Sequence, residues 1–136
     1  MAVEITGTYT GNLNVELEHG PSGARLQTTA PKDNHGDGTS FSPTDLMAAA
    51  LASCTLTVMG IAAHRHGVAL EGATVRIEKH MVADPRRIGR LPVVIHMPAG
   101  IDPAVRERLE ATARHCPVHR SLLPDVEAEI DFRYPD

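Results

Sequence analysis

Tryptophan is absent from these 136 residues, and Tyr9, Phe41, Phe132 and Tyr134 are the only aromatic side chains. Proteins that hold single-stranded nucleic acid stack bases on aromatic faces, which this chain hardly offers. An excess of positive charge is missing too. Thirteen Lys and Arg stand against 17 Asp and Glu, a formal charge of −4, so nothing draws a phosphate backbone or an anionic membrane surface from a distance. The expected partners therefore include no nucleic acid. Cysteine is scarce: Cys54 and Cys116 are the two thiols, 62 positions apart. The start, Met1-Ala2-Val3-Glu4-Ile5-Thr6, has neither the basic nor the apolar stretch of a secretory signal, which predicts a cytoplasmic protein. Thiols there are kept reduced, so a disulfide between them is expected to be transient and catalytic rather than a permanent staple.

Long hydrophobic runs are lacking as well, with one near-exception. Residues 46–63 carry no charge, but Ala, Ser53, Thr55, Thr57 and Gly60 dilute them, whereas a spanning helix needs ~20 strongly apolar residues. The stretch reads as a buried helix, and no membrane partner is expected. What the chain has is aliphatic: 42% of it is hydrophobic, enough for a real core in one domain of the usual ~100–200 residues. A single domain over residues 1–136 leaves no room for a separate cofactor-binding module.

Val3, Ile5, Gly7 and Tyr9 alternate with polar neighbours, and after Thr10-Gly11-Asn12 the alternation resumes at Leu13, Val15 and Leu17. Period two on both sides of a turn predicts a β-hairpin. Gly20-Pro21-Ser22-Gly23 is a second turn signal, and residues 24–29 supply a third strand to complete a meander. The polar, glycine-containing loop that follows, residues 30–40, is of a length usually either mobile or functional. It ends at Ser42-Pro43-Thr44-Asp45, where Ser42 suits the N-cap, Pro43 the first helical position and Asp45 the return half of a capping box. The helix that starts there runs to His64 or His66, where Gly67 stops it. Leu46, Met47, Leu51, Leu56, Val58, Met59 and Ile61 are spread around its wheel, and a helix apolar on every face must be covered on every face. One meander covers one side, so the rest must come from the second half of the chain or from a second copy.

Further on, residues 73–81 and 91–97 read as two strands joined by a basic turn over residues 84–90. Asp102-Pro103 opens an amphipathic helix with Ile101, Val105, Leu109, Thr112 and Ala113 on its buried stripe and Arg106, Glu107, Arg108 and Glu110 in water. Pro117 prevents its continuation, a short helical turn follows, and residues 126–134 make the last strand.

Taken alone, Cys54 in the middle of an apolar helix is explained by packing, since cysteine is among the most buried residue types. Cys116 precedes Pro117 and is a candidate N-cap, where the local positive potential lowers a thiol pKa. By electrostatics it is the more easily ionised of the two. Arg114, His115, His119 and Arg120 surround it, either as groups that stabilise a thiolate or as ordinary solvated cations at helix ends. Eight histidines and two cysteines raise the question of metal, but no cysteine pair has zinc-ligand spacing, His115 and His119 are separated by Pro117, and His64 and His66 point apart on a helix. No metal ligand set is assigned.

The word Pro43-Thr44-Asp45-Leu46-Met47-Ala48-Ala49-Ala50-Leu51-Ala52-Ser53-Cys54, preceded by Gly36-Asp37-Gly38-Thr39, together with His115-Cys116-Pro117-Val118-His119, resembles the OsmC and organic hydroperoxide resistance (Ohr) family. The order of strands and helices resembles it along nearly the whole chain. That resemblance implies an OsmC-like α+β fold: a β-meander, a long buried central helix, two strands, a second helix and a last strand, paired as an intertwined homodimer with active sites at the interface. It implies that Cys54 is the peroxidatic thiol and Cys116 the resolving one, reversing the order helix electrostatics gives, and that the cycle needs no cofactor beyond an external dithiol. Because a mid-helix thiol in apolar surroundings has a raised pKa, such an assignment requires a cation at Cys54. Family peroxidases take an arginine from the N-terminal strands or the following loop, fixed by a carboxylate just after the proline that opens the helix. Here Arg25 is the only arginine ahead of Cys54, Thr44 stands at the carboxylate position and Asp45 one position later. Nine residues, or ~13.5 Å of helix, separate Asp45 from Cys54, so Asp45 either serves the partner's site or acts as the capping acid.

The catalytic set expected from residues and resemblance together is Cys54, Cys116, Asp45 and Arg25, in a thiol-dependent reductase of organic hydroperoxides. Met47, Ala50, Leu51, Val58 and Ile61 are available near Cys54 for an alkyl tail. The alternative is a dimer of the same fold that binds a small ligand or senses oxidants with little turnover. A metal protein built on Cys54, Cys116 and nearby histidines is a third reading.

Overall fold

The period-two pattern at the start of the chain folds as a three-stranded antiparallel meander of β1 (Ile5–Gly11), β2 (Asn14–His19) and β3 (Arg25–Thr29), in the order β1-β2-β3. The structure, a computed structural model, describes residues 1–135, and the architecture is α+β. Its chain divides into two compact units, residues 1–46 and 47–136.

In the N-terminal unit the register sets Gly7 opposite Leu17 and Leu17 opposite Leu26, while Glu18 faces Arg25. One sheet face is thus apolar (Ile5, Tyr9, Val15, Leu17, Leu26) and the other polar, as alternation requires. Ile5, Tyr9 and Leu26 nonetheless remain exposed. The loop after β3 is ordered by its own hydrogen bonds. Asp37 Oδ1 accepts from the Thr39 amide at 3.1 Å, the Thr39 hydroxyl at 2.8 Å and the Thr29 hydroxyl at 3.1 Å, which hold its carboxyl below the usual range. Gly36 is needed there, since a Cβ would lie 1.7 Å from the Ala30 carbonyl oxygen.

The helix α1 (Pro43–Arg65) has the predicted bounds within a residue. Length and composition would suit it to cross a bilayer, yet Ala48, Leu51, Ala52, Thr55, Met59 and Ala63 are buried at helical spacing. In the C-terminal unit, Ala48, Leu51, Met59 and Ala63 pack with Ile88, Leu91, Val93, Ile95, Leu109 and Ala113 in one core. This unit adds β4 (Thr74–Ile77), β5 (His80–Val82), β6 (Arg87–Arg90), β7 (Val93–His96), α2 (Pro103–Ala113), α3 (Pro117–Arg120) and β8 (Ile130–Arg133). One sheet runs β4-β7-β8 and a hairpin pairs β5 with β6. The β7–β8 pair is parallel, because the connection between them returns through α2 and α3.

The strand predicted over residues 73–81 breaks after Ile77, and the basic turn predicted over residues 84–90 is a strand from Arg87 onward. The reason is Ile88, which is buried, between Arg87, paired with Asp125 at 3.4 Å, and Arg90, whose Nε lies 4.0 Å from Glu129 Oε1. The outlying arginines satisfy their charge at the surface while the isoleucine enters the core. On α2, Arg106 and Glu110 are engaged rather than fully solvated. The Arg106 guanidinium carbon lies 4.1 Å from the Tyr134 ring centroid, and the Tyr134 hydroxyl donates to Glu110 Oε2 at 2.7 Å. Burial and the Glu110 carboxylate push the Tyr134 hydroxyl pKa far upward. The last strand starts at Ile130 rather than 126, although amides of Leu91 and Val93 already donate to Glu127 and Glu129 ahead of it.

Candidate functional site

Cys54 lies midway along α1 and is half-buried; Cys116 is fully buried at the entry to α3, and both thiols are free. Their packing in one hydrophobic cluster brings together side chains 62 positions apart. Cys116 is the N-cap foreseen from Pro117: its Sγ accepts the His119 amide hydrogen at 3.3 Å. The ionisation expected from that position does not follow. Burial pushes the Cys116 thiol pKa up, the His119 hydrogen bond offsets part of the rise, and a hydrogen bond and charge interaction with Cys54 add to it. Desolvation of a thiolate inside a core outweighs the partial charge of one short helical turn.

An open cavity of about 260 Å³ is lined by Met47, Ala50, Pro117, Val118, Ser121 and Leu122, with Pro117 next in sequence to Cys116. Met47 and Ala50 belong to the α1 face that carries Cys54, two turns and one turn ahead of it. Of the other residues expected around the thiol, Leu51 is in the core, Val58 is half-buried and Ile61 exposed. The wall formed by Val118, Ser121 and Leu122 went unforeseen; the four-residue spacing of Val118 and Leu122 after Pro117 was its signal.

Asp45 completes the capping box. Its Oδ2 accepts the Ser42 amide hydrogen at 2.9 Å, and its own amide donates to Ser42 Oγ at 3.0 Å. Arg25, in the N-terminal unit, is held by two carboxylates: Nε donates to Glu18 Oε1 at 2.9 Å and Nη1 to Glu16 Oε1 at 3.0 Å. Near Cys116, Arg114 pairs with Glu110 at 3.7 Å and lies 5.0 Å from the Phe132 ring centroid, while His115 and Arg120 are exposed. Among the described residues no group of three His, Cys, Asp or Glu side chains is placed to hold a metal ion.

A family model described as OsmC-like protein matches residues 36–131, which contain both cysteine words. The chain belongs to the OsmC-like family. No curated protein matches it. Among solved structures it is similar to a protein of Psychrobacter arcticus provisionally described as an osmotic stress induced and detoxification response protein. The two are 37% identical over 95% of this chain and 94% of that one, with a TM-score of 0.91. The same fold recurs in the organic hydroperoxide resistance protein OsmC of Legionella pneumophila (22% identity, 98% and 97% coverage, TM-score 0.74). It recurs again in OhrB, the organic hydroperoxide resistance protein of Bacillus subtilis (14% identity, 98% coverage of both chains, TM-score 0.72). The OsmC-like chain described here thus shares its fold with organic hydroperoxide resistance proteins.

Proposed function

We propose that this OsmC-like protein reduces organic hydroperoxides with its two thiols. The Cys54 thiolate attacks the distal oxygen of ROOH, the O–O bond breaks, and the alkoxide takes a proton and leaves as ROH. The resulting Cys54 sulfenic acid condenses with the Cys116 thiol to a disulfide, releasing water, and an external dithiol restores both thiols. One observation carries this reading: the two thiols interact within a single apolar cluster, and an open cavity is lined by the α1 face that carries Cys54 and by Pro117, which follows Cys116. Met47, Val118 and Leu122 receive the alkyl group R, which favours organic peroxides over hydrogen peroxide. Asp45 contributes by fixing the start of α1, the helix that carries Cys54.

Exposed Ile5, Tyr9 and Leu26 on the meander and Ile61 on α1 support a homodimer, in which a second copy covers the faces that this chain leaves open. Such a redox cycle belongs in a reducing compartment, the cytoplasm. A second reading, ligand binding or oxidant sensing with little turnover, is favoured by one feature. The Arg25 guanidinium is already held by Glu16 and Glu18.

Consumption of cumene hydroperoxide with dithiothreitol separates the two. Wild-type protein is expected to turn over, Cys54→Ser to fall to the uncatalysed background, and Arg25→Ala to slow the reaction if Arg25 supplies the cation. Turnover that survives Cys54→Ser overturns the peroxidase mechanism. Full activity in Arg25→Ala transfers the cation's role to another group. Light scattering at a mass twice that of one chain tests the dimer.

A further inference from the structure

The two sulfurs differ in access, and that difference assigns them different parts when the disulfide is reopened. Cys116 has no exposed surface and sits in the core with Leu51, Leu109 and Ala113. Cys54 is half-buried, on the α1 face whose Met47 and Ala50 line the open cavity. Exchange at a disulfide requires the incoming sulfur to approach in line with the S–S bond, on the side away from the leaving sulfur, so its rate depends on access to the sulfur attacked. For Cys116 that approach passes through packed side chains.

We propose that the external thiol attacks Cys54, so that the mixed disulfide forms on Cys54 and Cys116 is the sulfur that leaves. The inference rests on the disulfide of the proposed cycle and adds where its reductant engages. The electrons balance as follows. A thiolate of the reductant bonds to Cys54 Sγ, the Cys54–Cys116 bond breaks, and its electron pair moves to Cys116 Sγ, which takes up a proton. The second thiol of the reductant then displaces Cys54 from the mixed disulfide. The products are two protein thiols and the oxidised dithiol.

An opposing effect is present. A buried leaving thiol is a poorer one, because its raised pKa disfavours the departing thiolate. The amide of His119, already bonded to Cys116 Sγ, stabilises the departing charge. Closure of the in-line path to Cys116 therefore decides the order.

Trypsin separates the two sites, because cleavage after Lys32 and Arg65 places Cys54 in residues 33–65, and cleavage after Arg114 and Arg120 places Cys116 in residues 115–120. The disulfide of the full-length protein is formed with diamide rather than peroxide, so the result does not depend on peroxidase activity. It is then opened with excess glutathione, the free thiols are blocked with N-ethylmaleimide in mild acid so that no further exchange occurs, and the blocked protein is digested with trypsin at near-neutral pH. Mass spectrometry is expected to find glutathione on the Cys54 peptide in at least roughly tenfold excess over the Cys116 peptide. Equal labelling, or glutathione mainly on Cys116, overturns the proposal, as does failure of diamide to join the two sulfurs. As a second readout in the reduced protein, native iodoacetamide labelling is expected to be faster in Cys116→Ser, which keeps Cys54, than in Cys54→Ser. The reverse order refutes the difference in access. Loss of cumene hydroperoxide turnover with the glutathione pattern intact sinks the peroxidase reading and leaves the attack order standing.

Discussion

Replacing Asp45 with alanine separates a structural carboxylate from a catalytic one. The substitution removes the acceptor, 2.9 Å away, to which the buried Ser42 amide donates, and leaves the Ser42 Oγ bond to the residue 45 amide in place. Loss of half a capping box costs about 1 kcal/mol, within a range of roughly 0.5–2. For 136 residues, an unfolding entropy of about 2.1 cal/mol/K per residue gives a fall in Tm of about 3–4 °C per kcal/mol. Ser42→Ala removes the other half and should cost a similar amount. The double variant should lose less than the two combined, since the bonds are reciprocal. Calorimetry at one fixed protein concentration reads the stability, and the peroxidase assay reads the chemistry. If Asp45 acts through the helix start alone, kcat/KM in both single variants stays within roughly twofold of wild type. A carboxylate fixing the reacting cation would instead cost about a hundredfold or more. The capping account is refuted if Asp45→Ala loses turnover on that scale while Ser42→Ala, equally destabilised, keeps it.

Because burial holds the Cys116 proton beyond the ordinary value of 9.0, the unfolded chain releases it first. Between the two pKa values the folded state binds more protons, and the reduced protein therefore loses stability as pH rises above about 9. Urea titrations from about pH 7.5 to 10 should show this alkaline slope flattened in Cys116→Ala; an unchanged slope contradicts the burial argument. Leu109 is fully buried in the core, and Leu109→Ala should lower the unfolding free energy by about 2–5 kcal/mol in the same titrations. Across a series of primary alkyl hydroperoxides, kcat/KM should rise by up to about fourfold per methylene while the cavity fills. In Leu122→Ala that rise should weaken, with hydrogen peroxide unaffected; a chain-length profile identical to wild type removes Leu122 from the substrate wall.

Several features were legible because they depend on neighbours in sequence. Ser42, Pro43 and Asp45 set the start of α1 through bonds spanning three residues, and Asp102 and Cys116 cap their helices in the same way. The alternation from Ile5 to Leu17 announced the meander for the same reason. The strand Arg87–Arg90 was hidden because its apolar content is a single buried residue, Ile88, among arginines. The Tyr134 contacts with Glu110 and Arg106 join residues 24 or more positions apart and left no local trace.

By itself, then, the sequence determined the elements, their caps and the two thiols with their family words, since hydrogen bonding and periodicity act over a few residues. Tertiary structure alone decided that Cys116 is the deeply buried thiol, that its pKa rises despite a helix-capping position, and that Met47 and Leu122 share one cavity. Desolvation and access depend on everything packed around an atom, and those surroundings come from segments far apart along the chain.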